Sequence, residues 1–429
     1  MRIRTALGAA TLLALAAPAS PTAAQDTGDW PGFRGPARDG QVTGWPDRLA
    51  DPAAWPETLE RGWRIEVGLG HASPVTVGDR VFVFTREGED EVLRALDPGA
   101  GEVIWLSAYP APYTMHRSAL SHGPGPKATP EAAAGRVFTL GISGIVSAWD
   151  ADDGRLLWRR TEEERFVNAR WPLYGTGASP LALPGGEIVL IHLGEPEDGV
   201  LVALDAATGE AAWEIAGDGP AYVSPKLARV AGRDIVFTMT EERILALAPE
   251  TGEVWWKLPF TTPYDQNIVT PLPLPDGETV VLAGLANPTI AVRFSADGAG
   301  PLTAETVWSV DDSPLYMSSP VLAGGRILAF SERNSGQFVG LDPETGESLW
   351  RSPPRSGENA ALLAFGDAVL GLTDGAELLV LDPASEAFAP LRRYPVADTP
   401  TWAHPVPLPD GLLIKDEAHL TAWRIPPGR

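Results

Sequence analysis

The chain has no cysteine, only four lysines and only six histidines in 429 residues. Without cysteine it can form no disulfide, no thiolate metal site, no covalent c-type haem attachment and no lipid anchor on an N-terminal Cys. Stability must come from packing. Basic residues are outnumbered 33 to 56 by acids, leaving a net charge of -23, which makes nucleic acid and anionic membrane surfaces poor partners. No stretch approaches the ~20 apolar residues needed to span a bilayer. The longest apolar run, Ala6 to Ala17, follows Arg2 and Arg4 and leads into Thr22-Ala23-Ala24 before Gln25. This pattern reads as a secretory signal peptide over residues 1–24, so a soluble periplasmic or secreted protein is expected. Loss of that prefix, which carries two Arg and no acid, takes the charge to -25.

What is present in abundance is a repeat. Ala203-Leu204-Asp205-Ala206-Ala207-Thr208-Gly209-Glu210-Ala211-Ala212-Trp213 recurs as Ala95 to Trp105, Ala148 to Trp158, Ala246 to Trp256 and Gly340 to Trp350, with worn copies ending at Trp308 and near Leu391. Each copy reads as strand, turn, strand. The Asp bonds the turn backbone and the Gly takes positive φ. One large ring per copy in the outer strand packs repeat on repeat. A strand opener of the form [AV]-[ST]-Pro recurs at Ala72-Ser73-Pro74, Ala128-Thr129-Pro130, Ala178-Ser179-Pro180, Val223-Ser224-Pro225, Val269-Thr270-Pro271 and Ser318-Ser319-Pro320, with Ala403-His404-Pro405 as a variant. Proline lacks an amide donor, so these are edge strands or strand starts, as the innermost strand of a propeller blade is.

Periods of roughly 40 to 50 residues mark a solenoid or propeller. Seven phrases are complete. Trp63 to Val67 is a fourth strand without a blade, and residues 402–425 supply three strands without a fourth. Joining them predicts an all-β, eight-bladed propeller of four-stranded antiparallel blades closed by an N-terminal strand at 61–67, which leaves no open seam. The domain reading is a signal peptide at 1–24, an irregular arm at 25–60 packed on the body, and one propeller at 61–425.

The repeat and its openers resemble those of pyrroloquinoline-quinone-type β-propellers. The arm Asp29-Trp30-Pro31-Gly32-Phe33-Arg34-Gly35-Pro36-Ala37-Arg38-Asp39-Gly40 is similar to the opening of many exported bacterial propellers of this type. The resemblance implies either a quinoprotein dehydrogenase, with quinone and calcium on the axis, an Asp base and Glu and Asn metal ligands, or an assembly propeller that binds partner proteins without quinone. The adjacent cysteine pair of many alcohol-oxidising members and the lipid-anchored Cys of the assembly lipoprotein are both absent.

Candidate site residues fall on the face that carries the variable blade-to-blade loops. Lys127, Lys226 and Lys415, with Arg117, Arg170 and Arg333, either form a positive funnel for an anionic small ligand or pair locally with Glu131, Asp416 or Glu332. Trp171, Tyr174 and Gln266 add aromatic and amide groups for ligand binding. The run Tyr264-Asp265-Gln266-Asn267 is either a hydrogen-bonded loop or, in a quinoprotein, a calcium site through Asp265 and Asn267 with Asp265 as the base. A binding or scaffolding module for an anionic ligand or an envelope protein is the leading reading, whether the protein is an enzyme is left open, and a quinone-dependent dehydrogenase is the alternative.

Overall fold

In the computed structural model, which describes residues 28–161, 173–298 and 300–427, eight four-stranded antiparallel sheets follow one another around an axis. Blades 1 to 7 are each made of four consecutive strands and span 75–110, 131–160, 181–217, 226–259, 272–310, 321–351 and 360–395. Blade 8 takes three strands from residues 406–424 and its outer strand from Glu60–Glu66. That closing strand pairs Ile65 with Leu420 and Glu66 with His419, so both ends of the propeller lock into one sheet.

The repeat builds the contact between blades. Trp105 donates its indole N–H to the Ala151 carbonyl (3.2 Å), Trp158 to Ala206 (3.0 Å), Trp213 to Pro249 (3.2 Å), Trp308 to Pro343 (3.0 Å) and Trp63 to Pro98 (2.9 Å). Each ring thus reaches the turn of the following blade. The turn glycine there has two duties: Gly154 takes φ 72°, and a Cβ on it would lie 2.4 Å from the Trp105 ring. Asp205 holds the equivalent turn of blade 3 by accepting from the amides of Ala207 and Thr208. The tryptophan does not end the outer strand, however. It sits near the start of most of them, and in blade 1 the strand runs Val103–Pro110. A bulge around it shifts register in seven blades, for example between Ala95, which faces Trp105, and Leu96, which faces Val103. In blade 7 the outer strand starts at Arg392, after Leu391, and Arg392 faces Val380 where other blades place Trp. Its guanidinium donates to the carbonyls of Trp55 and Pro56 in the arm.

The Ser or Thr before each opener proline links neighbouring inner strands. The amide of Ser73 donates to Thr129 Oγ1 (3.1 Å), Thr129 to Ser179 Oγ (3.0 Å), Ser179 to Ser224 Oγ (2.9 Å), Thr270 to Ser319 Oγ (3.0 Å) and His404 to Ser73 Oγ (2.8 Å). The links of this collar run from blade 8 through blade 4 and again from blade 5 to blade 6, satisfying amides that no strand partner reaches, while the Thr270 hydroxyl at the break between them accepts none.

Candidate functional site

The arm does more than pack on the body: it enters the axis. Trp30 and Thr76 exchange backbone hydrogen bonds, the amide of Ala132 donates to the Pro31 carbonyl, and Gly40 and Val42 bond to Ala364. The segment therefore adds to the inner strands of blades 1, 2 and 7. Between these anchors two arginines, each no more than 2% exposed, spread across the channel. Arg34 donates to the Pro320 carbonyl (2.6 Å). Arg38 donates to the carbonyls of Pro225 (2.9 Å) and Pro180 and pairs with Glu131 at 2.8 Å. Burial raises the Glu131 carboxyl above its ordinary range, and the Arg38 guanidinium opposes that rise. Gly32 is required because a Cβ would lie 1.8 Å from Glu131 Oε2. Farther on, the arm straps the short-turn face, where the amide of Asp367 donates to the Ala50 carbonyl and Trp45 donates its indole N–H to Leu408 (2.7 Å). Trp45 and Trp55 are sealed into the core beside blades 7 and 8.

With that end stoppered, a cavity of about 340 Å³ remains on the variable-loop side, with Phe33 of the arm in its lining beside the collar hydroxyls. Its wall is a chain of edge-on rings: Trp402 to His122 (5.1 Å), His122 to Tyr174 (5.0 Å) and Tyr174 to Tyr222 (6.0 Å), with His71 against both Trp402 and His122. Tyr316 completes it, its hydroxyl donating to the Gln266 carbonyl oxygen. Burial lowers the basicity of His71 and His122, with Lys127 adding to the effect, so both rings are neutral at pH 7. His404, against Phe33, is pushed down to about 3 by burial. The Lys127 ammonium is held by the carbonyls of His122 (3.3 Å) and Gly123 (3.2 Å) and lowered by burial to about 8. It remains mostly charged at neutral pH, and Glu358 is the one carboxylate in the lining.

Of the residues singled out from the sequence, Lys127 and Tyr174 line this cavity and Gln266 backs it through Tyr316. Lys226 and Lys415 do not join them. Lys226 donates to the Arg38 carbonyl (3.2 Å), steadying the arm, and Lys415 donates to the carbonyls of Gly70 (2.7 Å) and Asp416 (3.0 Å). The local pairing with acids does not form for these lysines either, because Glu131 is engaged by Arg38 and the Asp416 carboxylate by Arg64. Backbone carbonyls, a partner invisible in residue types, take the cations instead. Arg333 and Arg117 are exposed, and Arg170 and Trp171 lie outside the described residues. Missed from sequence were Arg34 and Arg38. Two arginines among glycines and prolines that permit close approach were the available signal.

The same geometry tests a quinone and calcium centre. Calcium takes six to eight oxygen ligands. Asp265 is exposed at φ 58°, whereas Asn267 is fully buried, its amide nitrogen donating to the carbonyls of Thr240 (2.8 Å) and Phe260 (3.2 Å) and its Oδ1 without a partner among the described residues. Among the described residues no group of three His, Cys, Asp or Glu could hold a metal ion. Among the described residues this run therefore offers calcium the buried Asn267 Oδ1 but no cluster of carboxylates around it.

Fold and repeat together define a quinoprotein-like β-propeller. A family model described as outer membrane protein assembly factor BamB matches residues 89–296 and again 273–389, and the chain belongs to that propeller family. It is 29% identical over 256 residues to a quinohemoprotein alcohol dehydrogenase, ADH-IIG, of Pseudomonas putida, covering 54% of this chain and 33% of that protein. It is 24% identical over 237 residues to outer membrane protein assembly factor BamB of Yersinia pestis, covering 50% and 53%. The chain thus spans about a third and about half of the curated relatives it matches. Among solved structures, the quinohemoprotein alcohol dehydrogenase of Comamonas testosteroni superposes with a TM-score of 0.65 at 15% identity over 94% of this chain and 81% of that one, a likeness of fold.

Proposed function

We propose that this protein is an exported binding module that receives an anionic ligand, or the side chains of an envelope protein partner, in the aromatic cavity on its variable-loop face. The observation that carries the reading is the stoppered axis. With the arm filling one end, the remaining opening is a ring-walled recess with the Lys127 ammonium at its edge and, among its described lining residues, Glu358 as the one carboxylate. Aromatic rings supply large contact area at small entropic cost, as binding anchors do. Leu120 and Tyr264, 65% and 77% exposed, stand on loops of the same face and extend an apolar surface for a partner. Membership in the assembly-factor family favours a protein partner. No described helix is long and apolar enough to cross a membrane, and the residue 1–24 pattern favours export.

Affinity capture from envelope extract tests the reading, comparing the wild type with a variant carrying Tyr222→Ala, Trp402→Ala and Lys127→Met. Partners retained by the wild type should be lost from the variant while its melting temperature holds; an unchanged set of partners would refute the assignment to this face. Melting with pyrroloquinoline quinone and calcium at concentrations far above micromolar should leave the midpoint in place. A rise would signal native-state binding and favour the dehydrogenase. Fractionation and mass spectrometry should find the protein outside the cytoplasm and lacking its first 24 residues.

A further inference from the structure

The outer strands are the free edges of the eight blades, and edges of this kind are ordinarily guarded by charge. At the position just after the blade tryptophan, the guard is Arg64, Arg159, Glu214, Lys257 and Arg351 in blades 8, 2, 3, 4 and 6. Blade 5 has Glu305 in its outer strand and blade 7 has Arg393. The outer strand of blade 1, Val103–Pro110, reads VIWLSAYP and contains no charged residue. Leu106 occupies the guard position and is 50% exposed.

The orientation of this strand is set by its contacts. The Trp105 indole and the Ser107 hydroxyl donate to the carbonyls of Ala151 and Gly154, so that face meets blade 2. By alternation Leu106 and Ala108 point the other way. Among the described residues no further strand pairs along the edge. The bulge before Trp105 and Pro110 at the far end confine regular pairing to Trp105–Tyr109. Acids flank this stretch, with Glu102 before it and Glu89 and Asp90 beside its end, where Asp90 faces Pro110. An antiparallel second copy would bring Glu102 of one molecule towards Glu89 and Asp90 of the other, a like-charge arrangement. A segment with basic ends meets no such penalty.

We infer that the outer edge of blade 1 over Trp105–Tyr109 is a strand-docking site, taking as a fifth strand an extended segment of a partner protein with alternating apolar side chains and Lys or Arg at its ends. Backbone hydrogen bonds supply affinity, and Leu106 and Ala108 read the apolar side chains. This surface is separate from the axial cavity, so its test is independent of that reading.

The probe is a fluorescent nine-residue peptide of alternating valine and threonine with two lysines at each end, followed by anisotropy on the full-length protein. It should bind saturably, and Leu106→Glu and Leu106→Arg should each weaken it at least tenfold while leaving the melting temperature unchanged. The same peptide N-methylated at alternate residues should not bind, because its edge amides are blocked. Absence of binding at millimolar peptide, equal binding of the methylated form, or tighter binding by Leu106→Glu, which would mean that acidity alone holds the probe, would each overturn the inference. So would sedimentation showing a wild-type dimer that Leu106→Glu dissociates, since the edge would then belong to a second copy.

Discussion

Arg38→Met is the perturbation that most directly probes the stopper. It removes the partner of Glu131 at 2.8 Å and leaves a buried carboxylate with one remaining donor, the Ala182 amide at 3.3 Å, while the carbonyls of Pro180 and Pro225 lose their donor. Breaking a buried pair from one side costs about 3–5 kcal/mol, since the other charge stays behind unpaired. Unfolding entropy of about 2.1 cal/mol/K per residue over roughly 400 residues amounts to about 0.8 kcal/mol/K, so the expected fall in melting temperature is about 4–6 °C. The pH dependence has a definite sign. Burial already raises the folded pKa of Glu131 above its unfolded value, and removing Arg38 raises it further. Between the two values the folded state binds more protons, and stability falls as pH rises. Calorimetry at pH 5 and pH 7.5 should therefore find the larger loss at pH 7.5. A second substitution, Glu131→Gln, should restore most of the loss by deleting the stranded charge. A drop below 1 °C, a larger loss at pH 5, or no recovery in the double variant would refute the account of the arm as a buried, charge-paired stopper.

Gly154→Ala should cost about 2–4 kcal/mol in denaturant unfolding, combining a left-handed backbone with a collision against the Trp105 ring, whereas Gly232→Ala, at φ 73° with nothing within 4 Å of its Cβ, should cost only about 1 kcal/mol. Equal costs would mean that backbone strain alone selects the turn glycine. Ser179→Ala strips the acceptor from the buried Thr129 amide and should cost about 1–3 kcal/mol, with a matching rise in hydrogen exchange at that amide. His192, buried, and His404, partly buried in the wall of the axial cavity, are pushed down to about 4 and about 3 and stay neutral when folded but charge when unfolded below pH 6.5. Their contribution is present above that value and is lost as pH falls towards the folded values, on the order of 3 kcal/mol for His192 and at most about 5 kcal/mol for His404. A urea series from pH 7 to pH 4 should show this slope, and it should flatten in His192→Gln and His404→Gln.

Much of the architecture was readable because the repeat spells out contacts between consecutive blades. Asp205 and Gly209 announce a turn, Trp158 announces a ring that must be covered, and Gly209, next to that ring, is where it is covered. Both halves of the contact recur at a fixed spacing, so counting phrases counts blades, and the orphan strand at Trp63 finds its sheet by elimination. The axial site follows a different logic. Arg34 meets Pro320 and Arg38 meets Pro180 and Pro225, contacts that join residues 142 to 286 positions apart and end on backbone carbonyls. Carbonyls carry no residue identity, so no spacing encodes them. The same blindness concealed Lys226 and Lys415, whose scarcity suggested a converging funnel but whose ammonium groups are consumed by main-chain oxygens of the arm and of loops.

That difference explains how one propeller frame can serve either a cofactor or a partner. Inner strands that start at proline present carbonyls to the axis, and a ring of carbonyls must be met by cations, water or a ligand. Here the chain supplies its own cations from the arm, and the cost of burying them is offset by Glu131 and by the carbonyls that accept from them. Once Arg34 and Arg38 occupy the centre, the collar hydroxyls of Ser73, Thr129, Ser179 and Ser224 are committed to neighbouring amides. On the proposed reading, recognition is then left to the side chains above the collar, where Tyr174, Tyr222, Tyr316 and Trp402 come from four different blade-to-blade loops. Loop substitutions there can alter what is bound without disturbing the frame, because none of these rings takes part in the Trp and Gly contacts that hold blade to blade.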